Sequence, residues 1–368
     1  VWLVRNGQTD EKSLVRAKQY LQEAGQSRPN WYKLLLLGGE IAVMENRPDD
    51  AIRSYQQASA AGQLDAFHLH QLVQLLYARG RFEEAKQALE RLGDAQLSPL
   101  MDRIRVELDE RTGELERALE LAAQTVAGST KATDFLWYGH LLARAKRPEE
   151  AERAFRRSTE LGAQVPDAWL SLVAVLAAQS KTQEAEQALR EAQLRLPEDR
   201  IPLVLAQGYE ILGQPARAEQ QYQQALAARP DDLDLLERVA GFYMRAHQPE
   251  KAAKHLGDLL DVAGRAPEKN LARMVWARRS LARVLVLTGD YRHHRQALRL
   301  LDQNTQGGEP DVADLRLKAA VLAKRPERDA RQQAIRILED LRKRLQQSGE
   351  VLAPDEQFLL AQLYESVG

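Results

Sequence analysis

The chain has 368 residues, with 52 basic and 53 acidic side chains and a formal net charge of −1. That balance excludes an overall bias toward nucleic acid or an anionic membrane surface, and the absence of cysteine removes disulfides, thiol nucleophiles and thiolate metal sites. An apolar content of 44% with 29% charge is ordinary for a soluble folded chain. No apolar run approaches the ~18 residues that a membrane-spanning helix requires. The chain opens on Val1 with no signal-peptide pattern behind it. It reads as an excerpt of a longer protein, so the compartment stays open.

The elements repeat, and repeats decide the fold before anything else. Residues 1–7 read as the tail of a unit cut at its start. An alanine then returns as Ala17, Ala51, Ala85, Ala118, Ala151, Ala185, Ala218 and Ala252, at steps of 33 or 34 residues. Four residues after each come Leu21, Tyr55, Leu89, Ala122, Phe155, Leu189, Tyr222 and Leu256, nearly all bulky. Twelve residues before the later alanines stand Gly39, Val73, Val106, Gly139, Val173, Ala206 and Ala240, all small or β-branched. Two helices of a hairpin approach closely only where side chains are small, and a large residue one turn on fills the gap beside them. Pro48, Pro148, Pro215 and Pro249 open second helices, where a missing N–H costs nothing. Asp49–Asp50, Glu83–Glu84 and Glu149–Glu150 follow at the positive ends of helix dipoles. Gly80, Gly113 and Gly213 end first helices. No β-strand is needed anywhere.

Residues 165–197 show the unit most plainly. Trp169, Leu172, Val173 and Leu176 share one face of a first helix, Ala185, Leu189 and Ala192 one face of a second, and Pro197 closes it. Counted from Val165, the aromatic falls at position 4, apolar residues at 7, 8 and 11, small residues at 20 and 27, and proline at 32. This spacing resembles the tetratricopeptide repeat, a family of 34-residue helix–turn–helix units. The resemblance implies an all-α fold, a right-handed α-solenoid (superhelix) of about ten antiparallel helix pairs. It is expected as one continuous solenoid: a partial N-terminal repeat at 1–30, regular repeats at 31–264, divergent longer repeats at 265–350, and a truncated terminal repeat, first helix only, at 351–368. In the divergent part, 264–270 reads as a polar break before a long first helix at 271–287. Ala297 and Ala334 arrive about three residues late, which suggests extended turns. An uncapped last helix would leave Phe358, Leu359 and Leu363 partly exposed and open to end-to-end self-association.

The catalytic search is short. GxSxG, HExxH, GxxxxGK[ST] and strand-borne GxGxxG are all missing, so the chain reads as no enzyme, with no cofactor and no metal implied. His68 and His70 point to different helix faces, and His293–His294 read as solvated turn residues. In the resembled family, positions 2, 5, 9, 12 and 13 of the first helix face a concave groove. Carried over, they give Lys33, Leu36 and Glu40, then Phe67, His70, Gln74 and Tyr77, then Arg103, Glu107 and Glu110. The middle of the chain supplies Leu136, His140 and Arg144, Leu170, Ala174 and Ala177, and Leu203, Gln207 and Glu210. Late positions are Trp276, Arg279, Arg283, Arg316 and Lys324. No copy pairs Lys at 5 with Asn at 9, so the carboxylate clamp of chaperone-binding members is not expected.

The middle repeats offer small and apolar groove residues suited to a peptide or helix. The late repeats are basic: residues 262–347 hold 19 Lys and Arg against 10 Asp and Glu. Trp276, Arg279 and Arg283 share a helix face that suits an anionic or aromatic-bearing ligand. Equally, Trp276 can pack on the preceding repeat with the arginines as a solvated face, and Phe67 and Tyr77 can be packing residues. The expected function is a protein–protein interaction scaffold binding a peptide, helix or folded partner. Two other readings stand beside it: the recruiting arm of an enzyme or assembly, and a binder of an anionic polymer (polysaccharide or nucleic acid) through the late repeats.

Overall fold

The architecture follows from the paired columns of small and bulky residues. Gly39 and Gly139 show the rule at its tightest. A Cβ built on Gly39 would lie 2.3 Å from the Tyr55 ring, and one on Gly139 would lie 2.4 Å from the Phe155 ring. In these two hairpins the aromatic of the second helix therefore sits directly on the backbone of the first. The repeated alanines Ala51, Ala85, Ala118, Ala151, Ala185, Ala218 and Ala252 are all 0% exposed. Only Ala17, on the first described helix, is partly open.

The computed structural model describes residues 11–28, 31–60, 64–92, 99–288, 290–305, 309–347 and 349–367. The reading of residues 1–7 as a repeat tail falls outside them. Among the described residues there are twenty α-helices and no strand, an all-α helical-repeat solenoid. None of these helices is long and apolar enough to cross a membrane.

The chain divides into two compact units, residues 1–196 and 197–368. The first holds α1 (Glu11–Ser27) and five hairpins. These are α2 (Tyr32–Met44) with α3 (Pro48–Ala60), α4 (Ala66–Ala78) with α5 (Phe82–Leu92), α6 (Pro99–Arg111) with α7 (Leu115–Val126), α8 (Ala132–Arg144) with α9 (Pro148–Leu161), and α10 (Pro166–Ala178) with α11 (Thr182–Arg195). The second unit holds α12 (Ile201–Ile211) with α13 (Pro215–Ala228), α14 (Leu233–Arg245) with α15 (Pro249–Ala263), α16 (Pro267–Thr288) with α17 (Tyr291–Asn304), α18 (Val312–Ala323) with α19 (Arg328–Gln347), and a last helix, α20 (Pro354–Val367), packed on α19.

The turns inside the hairpins share one backbone device. Asn46, Gly80, Gly113, Lys146, Ser180, Gly213 and His247 all have φ between 54° and 90°. This left-handed residue lets the next N–H reach back to the first helix, as Arg147 N–H does to the Leu142 carbonyl at 3.0 Å.

Three late features differ from expectation. The stretch 264–270 is not simply a polar break: Pro267 begins helix α16, which is kinked at Asn270 (φ −118°, ψ 15°). The late arrival of Ala297 and Ala334 is not a longer turn. Both fall at the seventh position of their helix, where Ala218 is fourth in α13, so each second helix begins about one turn earlier. His293 and His294 consequently lie in the first turns of α17, and His294 is buried, not solvated. At the end of the chain Phe358 is 65% exposed, but Leu363 is buried with Leu360 against α19.

Candidate functional site

The first helices of each unit stand side by side, and charged side chains tie them together step by step. His68 on α4 bonds Glu40 on α2 at 2.9 Å, and Tyr77 on α4 donates to Glu107 on α6. Arg103 on α6 pairs with Asp134 on α8, and Arg144 on α8 holds both oxygens of Glu110 on α6, at 2.6 and 2.8 Å. In the second unit Arg245 on α14 reaches Glu210 on α12 at 2.6 Å, and Arg273 on α16 takes Asp234 and Glu237 on α14. Arg279 on α16 bonds Asp314 on α18 at 2.6 Å and Asp311 at 2.7 Å. Arg316 on α18 reaches Glu356 on α20 at 2.7 Å.

Within the two units, one such step carries no charged link among the described residues. Between α8 and α10 the only cross-bond is neutral, Ser171 Oγ to His140 Nε2 at 3.3 Å. In place of an ion pair there is a cavity of ≈ 580 Å³ lined by His140, Ala143, Lys146, Pro148, Phe155, Leu170, Ser171, Ala174, Val175 and Ala178. Sequence builds it directly. Gly139 admits the Phe155 ring to the back of α8, and the ring meets His140 edge-on at 5.2 Å. Pro166 starts α10 at its first turn, and the face that α10 turns to the groove carries Leu170, Ala174 and Ala178 one turn apart. Burial, and then the Arg144 guanidinium, hold the His140 imidazole below its ordinary pKa, with Asp167 opposing. This favours the uncharged ring on an exposed side chain, and Lys146 is the one permanent charge in the lining.

The other expected groove residues fall into two groups. Tyr77, Arg103, Glu107, Arg144, Arg279 and Arg316 are engaged by neighbouring repeats, as described above; Arg103 also lies 5.2 Å over the Trp137 ring. Phe67 is exposed and packs edge-on to His68 at 5.2 Å. His70 and Leu136 are half-buried and Gln74 is exposed. Leu203 and Trp276 pack against the core of the second unit, and Gln207 is half-buried on α12. The expected trio Trp276, Arg279 and Arg283 does not present two available guanidiniums. Arg279 is committed to Asp311 and Asp314, the latter 3% exposed and also bonded by Asn304, and only Arg283 stays exposed. Of the expected residues, His140, Leu170 and Ala174 are the ones brought together on one cavity.

Lys146, Phe155, Ser171, Val175 and Ala178 were not anticipated there. A signal for them does exist. The pairs Glu110–Arg144 and Glu210–Arg245 are 34 and 35 residues apart, and at the α8–α10 step the same two columns hold Ala143 on α8 and Ala178 on α10. The break in the ladder is thus written as two alanines. Among the described residues no group of three or more His, Asp or Glu is placed to hold a metal ion.

A stack of helical hairpins with a groove between its first helices is a repeat scaffold by class. Residues 139–200, which include α8 from Gly139 onward and all of α9 to α11, match the family model described as tetratricopeptide repeat. Hairpins of the same period stand on both sides of that match, so the chain carries tetratricopeptide-like repeats beyond the matched residues. No curated protein matches it. Among solved structures it is similar to yeast Tom70 (11% identity, 96% of this chain and 86% of that one, TM-score 0.49). It is also similar to a tetratricopeptide repeat protein from Parabacteroides merdae (17%, 68% and 97%, TM-score 0.45). A third is YrrB, described as having an unusual peptide-binding site (16%, 50% and 95%, TM-score 0.40). The likeness to the family rests on residues 139–200 and on the hairpin period, not on these structures.

Proposed function

We propose that this chain is a non-catalytic protein-interaction scaffold that grips an apolar segment of a partner in the groove between α8 and α10. The observation that carries this is the break in the cross-repeat ladder: where every other described step within a unit is closed by a charged group, this one is left as an apolar cavity. Side chains that do not need to bond each other are available to a guest, and burying apolar surface supplies the affinity. His140 lends the groove one polar atom that is already bonded to Ser171. The lining holds one hydroxyl–imidazole contact, Ser171 with His140, and no carboxylate to orient the ring, which supports a reading of binding.

The test is selection of peptides from a random display library on the immobilised chain, repeated with Ala174→Arg in the groove and with Leu194→Arg on the exposed face of α11. Enriched apolar peptides should be lost with Ala174→Arg and retained with Leu194→Arg. Peptides that bind Ala174→Arg undiminished would remove the groove from consideration.

A further inference from the structure

The groove's charge is one-sided. Its lining contains two basic side chains, His140 and Lys146, and no carboxylate. Lys146 stands in the turn after α8 at φ 58°, exposed, with no ion pair or side-chain hydrogen bond among the described residues. Its basic neighbours are different: Arg144 is held by Glu110, and Arg147 is bonded to Glu150. The nearest acid facing His140 is Asp167, which lies in the first turn of α10 and does not line the cavity. The opposite wall is Leu170, Ala174, Val175 and Ala178, with Ser171 turned to His140.

We infer that the groove takes an amphipathic helix whose apolar face carries an Asp or Glu side chain at its edge, seated so that the carboxylate meets the Lys146 ammonium. This rests on the docking reading above and states the chemistry of the partner. Three physical points support it. An apolar guest that covered Lys146 without a partner for it would strip water from an ammonium group, which is unfavourable unless a carboxylate replaces that water. A basic guest would meet Lys146 with like charge. The guest is a helix and not an extended strand because both walls are α-helices, whose backbone N–H and C=O groups are satisfied internally and offer an added strand no ladder. A helical guest satisfies its own. From Leu170 to Ala178 the wall runs eight residues, roughly 12 Å at 1.5 Å per residue, so two turns of guest fill it.

The probe is a fluorescein-labelled amphipathic helix with leucines at i, i+4 and i+7 and a glutamate one turn beyond, with otherwise identical peptides bearing glutamine or lysine at that place. Anisotropy titrations use the whole chain at low salt. The glutamate probe should bind about three- to fivefold more tightly than the glutamine probe, with lysine weakest, as expected for one partly exposed ion pair. That preference should vanish in Lys146→Gly and in Lys146→Asn, both of which tolerate the left-handed turn, while Ala174→Arg removes binding of all three. Equal affinity for glutamate and glutamine probes would overturn the carboxylate inference and leave apolar docking standing. A preference that survives Lys146→Gly would overturn the role of Lys146. Failure of all three probes to bind the native chain would overturn both readings.

Discussion

Gly139→Ala is the sharpest test of how the groove is built, because two effects of opposite sign meet at one atom. In an exposed helix, replacing glycine with alanine stabilises by about 1 kcal/mol. At Gly139, however, the new methyl would lie 2.4, 2.6 and 3.0 Å from Cε1, Cδ1 and Cζ of Phe155. That ring is 2% exposed and meets His140 edge-on, so it can shift only toward the cavity it lines and by giving up those contacts. Overpacking of this kind costs about 1–3 kcal/mol, so the net should be no stabilisation and a loss of up to about 2 kcal/mol. Gly257 on α15 is the control, since a Cβ there meets nothing within 4 Å; Gly257→Ala should stabilise by about 0.5–1 kcal/mol. Urea titration followed by circular dichroism gives both shifts. Because repeat arrays need not unfold in one step, amide exchange in α8 and α9 locates the loss. Phe155→Leu in the Gly139→Ala background should recover part of the stability, with a coupling energy that a double-mutant cycle reads directly. Since Phe155 also lines the cavity, the displaced ring should weaken peptide binding as well. A Gly139→Ala protein stabilised like Gly257→Ala would refute the packing argument, and with it the account of the groove floor.

Other substitutions probe the ladder, the turns and the titrating groups. Arg279→Ala should destabilise by about 2 kcal/mol, because it leaves Asp314 buried with Asn304 as its remaining partner; an unchanged urea midpoint would mean that this ion pair contributes nothing. Lys146→Gly relieves a left-handed side-chain conformation and should raise stability by about 0.5–1 kcal/mol after the entropy cost of glycine, the opposite of its expected effect on binding; calorimetry separates the two. The imidazoles of His255 and His294 are held below their ordinary pKa, in both cases first by burial. The unfolded chain therefore binds protons more readily, so stability from these groups is complete above pH ~6.5 and falls as the pH drops through that value toward the folded pKa values. Melting temperature should decline between pH 7 and pH 5, less steeply in His294→Gln, and a flat profile would contradict the burial of these rings.

The residues that make the fold were legible because each does one local thing. Ala218 is small where helices cross, Pro215 starts a helix, and Gly213 accepts a left-handed turn. Each needs only its own chain neighbours and the period to be interpreted. In the late repeats a three-residue delay before Ala297 looks the same in sequence whether it lengthens a loop or adds a helical turn. The structure shows the added turn, and with it a buried His294.

The candidate site was legible only in part. His140, Leu170 and Ala174 were in view because groove positions recur with the repeat. Arg103, Arg144 and Arg279 were in view for the same reason, yet they are engaged by residues 31 to 35 positions away. The amino-acid pattern by itself determined the helices, the hairpin partners and the buried columns, since hydrophobic periodicity and turn chemistry act over a few residues. Which side chains of adjacent repeats satisfy each other, and where one step is left apolar beside an unpaired lysine, was decided only by the tertiary structure, because a pair forms or fails with the distance between side chains on separate helices.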